Sequence, residues 1–229
     1  MRGFGAFAEY VSVPQDLLVP KPATLSFEQA AAVPLAASTA LQGLRDHGGI
    51  EPGQKVLIVG ASGGVGTFAV QIARSFGAEV SGVGSTRSAE MVGSLGAGHV
   101  IDYTREDFIR GGQDYDLIFQ LAGTRSPSEC RRALSPKGTL VQISGDSDGH
   151  WIGPVDRIIH ALVLSPFVSQ RMASFTVKPN GEDLRFLKQL IETGQLAPVI
   201  DRTYPLAEVP EAIRYLEDGH PRGKVVISV

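Results

Sequence analysis

A single cysteine, Cys130, stands in a chain of 229 residues. One thiol excludes an intrachain disulfide and any zinc site built on several cysteines. The five histidines, at positions 47, 99, 150, 160 and 220, have no metal-ligand spacing among themselves, so no metal site is read from them. An excess of basic charge is also missing. The balance of 21 Lys and Arg against 24 Asp and Glu leaves a formal charge of −3, which offers no electrostatic footprint for nucleic acid or an anionic membrane. No apolar run approaches the ~20 residues that span a bilayer, and residues 158–165, Ile-Ile-His-Ala-Leu-Val-Leu-Ser, are among the longest. The N-terminus Met1-Arg-Gly-Phe-Gly5 has no signal-peptide core, so a cytoplasmic location is expected. Nothing in the chain presents the Ser/His/Asp, Cys/His or paired-carboxylate arrangement of a hydrolase. Internal repeats and low-complexity linkers are absent too. What remains is an apolar content of 43%, enough for one large or two small cores.

The most informative stretch that is present runs from Lys55 through Val-Leu-Ile-Val-Gly-Ala-Ser-Gly-Gly-Val to Gly66 and on to Gly77. It reads as a buried strand, a glycine-rich turn and a helix, the local geometry of a dinucleotide diphosphate site. Glycines at 60, 63, 64 and 66 leave the turn bare, so a diphosphate can approach the backbone N–H groups and the positive end of the helix dipole. Ser62, Gly63, Gly64 and Val65 are the candidate ligands. The first glycine of Gly-x-Gly-x-x-Gly is replaced by Ala61, so the flanks must support the reading. They do: Val56–Val59 is a continuous apolar run, and Val65, Phe68, Ala69, Ile72, Ala73 and Phe76 follow helical spacing.

The next strand, Glu79–Gly84, ends where an NAD site usually places an acid for the adenosine ribose hydroxyls. Here the chain continues Ser85-Thr86-Arg87-Ser88. Hydroxyls and a guanidinium suit a 2′-phosphate that a carboxylate would repel. NADP(H) is therefore expected, with Arg87 as a solvated residue and Ser85 or Thr86 as a helix cap being the bland alternative.

Strands and helices keep alternating: strands near 55–59, 79–83, 99–102, 117–121, 139–143 and 173–177, with helices near 64–76, 88–95, 105–110 and 126–134. This pattern predicts an α/β fold with a doubly wound parallel (Rossmann) sheet over residues 34–179, its strands' carboxyl ends along one ligand-binding edge. Tyr103, Ala122-Gly123 and Ser144-Gly145 fall on that edge. Tyr103 is placed at the adenine end, and the small pairs leave room for the nicotinamide half. Ordinary turn chemistry competes for Ser144-Gly145. Residues 144–174 are read as a polar turn followed by an apolar stripe, with Trp151 the candidate for a substrate or partner contact and core packing the alternative for the rest.

The flanks differ from that domain. Phe7–Val13 alternates like a strand, Phe27–Leu44 reads as an apolar helix interrupted by Pro34, and the C-terminal part reads helix 186–192, strand 198–204, helix 208–217 and strand 224–229. Terminal strands without a sheet of their own suggest missing partners.

Together, Phe4-Gly-Ala-Phe-Ala-Glu-Tyr10, residues 30–43 (Ala-Ala-Ala-Val-Pro-Leu-Ala-Ala-Ser-Thr-Ala-Leu-Gln-Gly), Gly60–Gly66, Leu95-Gly-Ala-Gly-His-Val-Ile-Asp-Tyr103, Pro136-Lys-Gly-Thr-Leu-Val141 and Gly223-Lys-Val-Val-Ile227 resemble the medium-chain dehydrogenase/reductase superfamily. The zinc-independent quinone oxidoreductase branch is the most similar, along essentially the whole chain. The resemblance implies hydride transfer between NADP(H) and a small-molecule quinone, enone or carbonyl, or, failing catalysis, a shortened NADP(H)-binding module. It implies that residues 1–33 and 180–229 are a remnant and the closing tail of a β-rich GroES-like catalytic domain whose body is absent. It places Thr39 near the nicotinamide ribose, although that hydroxyl could equally bond its own helix. It implies a possible homodimer formed through the last strand of the Rossmann domain. The family often carries Lys at the position of Ser88 and a basic residue near Gly219; Arg87 and Arg222 lie close to both. No catalytic residue is singled out.

Overall fold

The structure is a computed structural model that describes residues 7–112, 114–123, 125–143, 169–219 and 221–229. Strands β1 (Lys55–Val59), β2 (Glu79–Gly84), β3 (His99–Asp102), β4 (Tyr115–Gln120), β5 (Leu134–Ile143) and β6 (Arg171–Phe175) form one parallel sheet in the order β3-β2-β1-β4-β5-β6. The chain winds outward from β1 in both directions, so its connections diverge at the carboxyl ends of β1 and β4. That divergence opens the crevice in which doubly wound sheets bind ligands.

Both faces of the sheet are covered, which is why β1 is apolar at successive positions. Val56 and Ile58 point into one buried cluster, while Leu57 and Val59 point into the other. The first cluster is completed by α1 (Phe27–Ala31), α2 (Pro34–Gln42) and α3 (Gly66–Ser75). Ser26 caps α1 through a reciprocal bond pair with Gln29. Pro34 sits at the first position of α2, where its missing N–H is harmless, so the expected single helix is two. α2 runs on into a π-helical turn, Gly43–Gly48. Short helices α4 (Ala89–Ser94) and α5 (Pro127–Cys130) cover further connections.

α6 (Gly181–Glu192) contributes Leu187, Leu190 and Ile191 to the same cluster as α2, so the core continues past the boundary expected at residue 179. Beyond it, β7 (Ile200–Pro205), α7 (Val209–Glu217) and β8 (Lys224–Ser228) make a separate two-stranded parallel unit.

Two expected elements do not form. Residues 7–13 adopt no strand, and Tyr10 is 89% exposed. An alternating pattern without a neighbouring strand has no ladder to join. Residues 105–110 are turns rather than a helix, tied down by Asp102 and Asp107, whose side chains accept backbone N–H groups and thereby compete with helix. The expected elements and the contact assigned to Trp151 within residues 144–168 lie outside the described residues.

Candidate functional site

The turn after β1 is tied to its neighbours through the backbone. Gly60 N–H and Ala61 N–H both donate to Val83 O, and Gly63 N–H donates back to Gly60 O at 3.1 Å. Gly60 adopts φ of +86°, a conformation glycine reaches without strain. A methyl at Gly66 would lie 2.1 Å from Gly60 O and 2.8 Å from two Ala61 backbone atoms, so only glycine lets α3 start this close to the strand. Ala61, the departure from the usual pattern, is fully buried. It is accommodated across the sheet by Gly82, where a Cβ would stand 3.0 Å from the Ala61 methyl. Thr67 N–H donates to Gly63 O at 3.0 Å and Ala69 N–H to Val65 O at 2.9 Å, so the helical bonding of α3 already begins within the turn and its positive end lies at residues 62–65.

At the end of β2 the four candidates separate. Ser88 is buried, with its hydroxyl donating to Ser85 O at 2.9 Å and accepting from Ser85 N–H at 3.0 Å, so it serves its own turn. Thr86 is exposed and donates its hydroxyl to Asp102 Oδ2. Ser85 is half-buried, and Arg87 is exposed with no carboxylate in ion-pair range among the described residues. Hydrogen bonds from Thr86 first and then Thr104 hold the Asp102 carboxyl below the usual carboxylate range. Tyr103 N–H donates to Gly84 O at 3.1 Å, which draws the ends of β2 and β3 together.

These ends enclose a cleft of about 550 Å³. Ser62, Gly63, Tyr103, Ala122 and Gly123 line it beside Gly60, so five candidates from three connections meet at one place. Gly64 and Val65 adjoin them along the chain. On the rim, Arg125 pairs with Asp107 and Glu129, each at 3.0 Å. Backbone and side-chain bonds from Ser126, followed by Arg125, pull the Glu129 carboxyl down to about 2. Thr39 does not line the cleft; it is buried in α2 and donates to Leu35 O at 2.7 Å. Ser144 and Gly145 lie outside the described residues.

In the tail, the family resemblance pointed to the neighbourhood of Gly219 and Arg222, whereas Pro221, Gly223 and Lys224 were missed. Gly219 and Pro221 line the cleft, and Gly223 N–H donates to Ser62 O at 2.9 Å as residues 63 and 223 form a parallel bridge. Lys224 lies over the glycine turn: a methyl at Gly64 would stand 2.8 Å from its Cδ and 3.6 Å from its Nζ. Burial pushes its ammonium pKa down, and no acceptor is in hydrogen-bonding range among the described residues. The Gly-Lys pair was visible as a motif, but its place beside residues 62–64 comes from tertiary docking.

Cys130 is fully buried, and burial pushes its thiol up to about 12. The nucleophile is the thiolate, so the native chain is expected to resist thiol reagents at neutral pH and to react fully once unfolded, as a colorimetric thiol assay would read. Among the described residues, no group of three or more His, Cys, Asp or Glu is placed to hold a metal, and no helix is long and apolar enough to cross a membrane.

Residues 95–227 match the family described as zinc-binding dehydrogenase. The chain is 36% identical over 230 residues to the tomato (Solanum lycopersicum) 2-methylene-furan-3-one reductase, covering 99% of this chain and 53% of that protein. It is 33% identical to the chloroplastic NADPH-dependent alkenal/one oxidoreductase of Arabidopsis thaliana, again over 99% of this chain and 53% of the relative. The solved quinone oxidoreductase of Coxiella burnetii superposes with a TM-score of 0.78 at 31% identity, covering 92% of this chain and 63% of that one. The chain thus spans about half the length of the curated relatives named here.

Proposed function

We propose, for a chain that belongs to the zinc-binding dehydrogenase family within the medium-chain dehydrogenase/reductase superfamily, that the cleft holds NADP(H) and serves hydride transfer to a small quinone, enone or carbonyl compound. The observation that carries this reading is the bare cradle at residues 60–66, where the close approach of α3 to β1 leaves no room for a side chain at Gly66.

When bound, the cofactor supplies a hydride from its nicotinamide ring. The chain's own residues bind and orient it. Backbone N–H groups of Ser62, Gly64 and Val65 and the positive end of α3 take the diphosphate, while Gly63 N–H holds the turn through Gly60 O. The partly dehydrated Lys224 amine adds a charge beside them that little water screens. Ser85 and Arg87 read the 2′-phosphate, and Tyr103 borders the adenine. Ala122 and Gly123 give the nicotinamide half space near the backbone. We assign no catalytic side chain.

Zinc-free chemistry belongs to this proposal through kinship with the quinone and enone reductases. So does a homodimer formed at the outer edge of β6, the terminal strand of the sheet order. The division into a remnant, residues 1–33, a Rossmann domain, 34–179, and a tail, 180–229, is likewise proposed, as a division of the sequence across which α6 still packs on the Rossmann core. A second reading is an NADP(H)-binding module without catalysis of its own. Oxidation of NADPH with simple quinones separates the two readings: turnover supports the reductase, and binding without turnover supports the module.

Arg87→Ala is expected to weaken NADPH about tenfold and leave NADH within about twofold, since one charge-assisted bond to the 2′-phosphate is lost. Calorimetric titration of both cofactors reads this, and equal losses for the two would remove Arg87 from the 2′-phosphate site.

A further inference from the structure

β2 ends without an acid, yet an acid stands one strand over. Asp102, the last residue of β3, pairs in register with Gly84, the last of β2. Its Oδ2 accepts the Thr86 hydroxyl, while Oδ1 accepts Thr104 N–H at 3.0 Å and the Thr104 hydroxyl at 2.7 Å. Arg105 Nε lies 3.6 Å from Oδ2, but its side chain is 75% exposed and offsets the charge only in part. A threonine hydroxyl carries one proton. With that proton donated to Asp102, Thr86 presents lone pairs outward, directly beside Arg87. Lone pairs accept from a ribose hydroxyl and repel a phosphate oxygen.

We propose that Asp102 is a specificity residue of the cofactor cleft: it withholds the Thr86 proton from the 2′-phosphate, sets a carboxylate close by, and holds the preference for NADPH below what Ser85 and Arg87 alone would give. This rests on the NADP(H) reading above. Both effects act in one direction on NADPH, whereas NADH carries a neutral 2′-hydroxyl there and is little affected. The acid-free end of β2 and the acid at the end of β3 therefore oppose each other.

The test is calorimetric titration of NADPH and NADH into the wild type, Asp102→Asn, Thr86→Val and the double variant, at low and high salt. Asp102→Asn is expected to bind NADPH about fivefold tighter and NADH within about twofold, with the gain shrinking in high salt. Thr86→Val, which removes the outward lone pairs together with a proton that is already engaged, should tighten NADPH by no more than about twofold and should remove part of the gain in the Asn background. Asp102→Ser, which is neutral and, able to donate as well as accept, does not oblige Thr86 to give up its proton, replaces the Asn variant if thermal unfolding shows the latter to be misfolded. A folded neutral variant whose NADPH affinity is unchanged or weaker overturns the proposal. Equal wild-type affinities for the two cofactors overturn the NADP(H) reading itself. A wild-type NADPH preference that Asp102→Asn does not move overturns only the role of Asp102.

Discussion

Gly66→Ala is expected to abolish binding of either nicotinamide cofactor and to destabilise the chain by about 3 kcal/mol, the upper part of the range for overpacking. The added methyl meets Gly60 O at 2.1 Å and Ala61 Cα and C at 2.8 Å. All three are backbone atoms, so no side chain can swing away. Relief requires α3 to withdraw from β1, which opens the cradle and moves the helix terminus off the diphosphate position. Gly93 supplies the control, since it lies in α4 with nothing within 4 Å of an added methyl. Gly93→Ala should leave binding intact and stabilise by about 0.5–1 kcal/mol through helix propensity alone. Urea unfolding together with cofactor titration of both variants checks the pair. Wild-type binding by a folded Gly66→Ala chain would separate the cradle from cofactor recognition.

Asp183→Ala should cost about 3 kcal/mol, for a different reason. Asp183 is 2% exposed in the first turn of α6 and accepts from Gln42 Nε2 at 2.7 Å, Arg45 at 2.8 Å and Asn180 Nδ2 at 2.7 Å. Gln42 also donates to Lys178 O, so the cluster fastens α2 to the connection between β6 and α6. Truncation leaves one N–H of each of two amides, Gln42 and Asn180, and part of the Arg45 guanidinium without their acceptor. The same contacts make a pH signature. Burial pushes the Asp183 carboxyl up, but bonds from Gln42, Arg45 and Asn180 outweigh it and the net shift is downward. A carboxyl depressed in the folded state stabilises fully above its unfolded value, about 3.9, and loses that contribution as pH falls through the folded value. Asp183→Asn should therefore show a shallower acid limb of stability than the wild type in urea midpoints measured from pH 5 downward. Parallel limbs would show that Asp183 does not titrate with unfolding.

Much of the sheet was legible because its signals are local. Buried runs such as Val56–Val59, small residues at strand ends and a helical stripe after the glycine turn each follow from a few adjacent residues. The failures share a cause. Phe7–Val13 has the period of a strand but no neighbouring strand in the described chain to complete its ladder. Residues 105–110 fit a helical pattern, whereas Asp107 captures the N–H of Ile109 within them and Asp102 that of Thr104 just before them. At the end of β2, sequence could propose Thr86 and Ser88 by type but could not say where each hydroxyl proton goes. The structure directs one to Asp102 and the other to Ser85 O. Lys224 and Gly219, more than 150 positions from the turn, reach it through docking of the β7-α7-β8 unit, which no local pattern encodes. Gly82 carried a readable signal: a glycine in the strand beside the turn, paired with Ile58, makes room for Ala61.

The most direct test of the cradle is a map of backbone amide chemical shifts in the isotopically labelled chain as NADPH is added. The amides of Ser62–Val65 and of Ser85–Arg87 are expected to shift together and saturate with one affinity, with the second group moving less when NADH is used. Saturable binding that leaves the amides of residues 62–65 unmoved, or no binding of either cofactor, would contradict a nicotinamide dinucleotide site at the glycine turn.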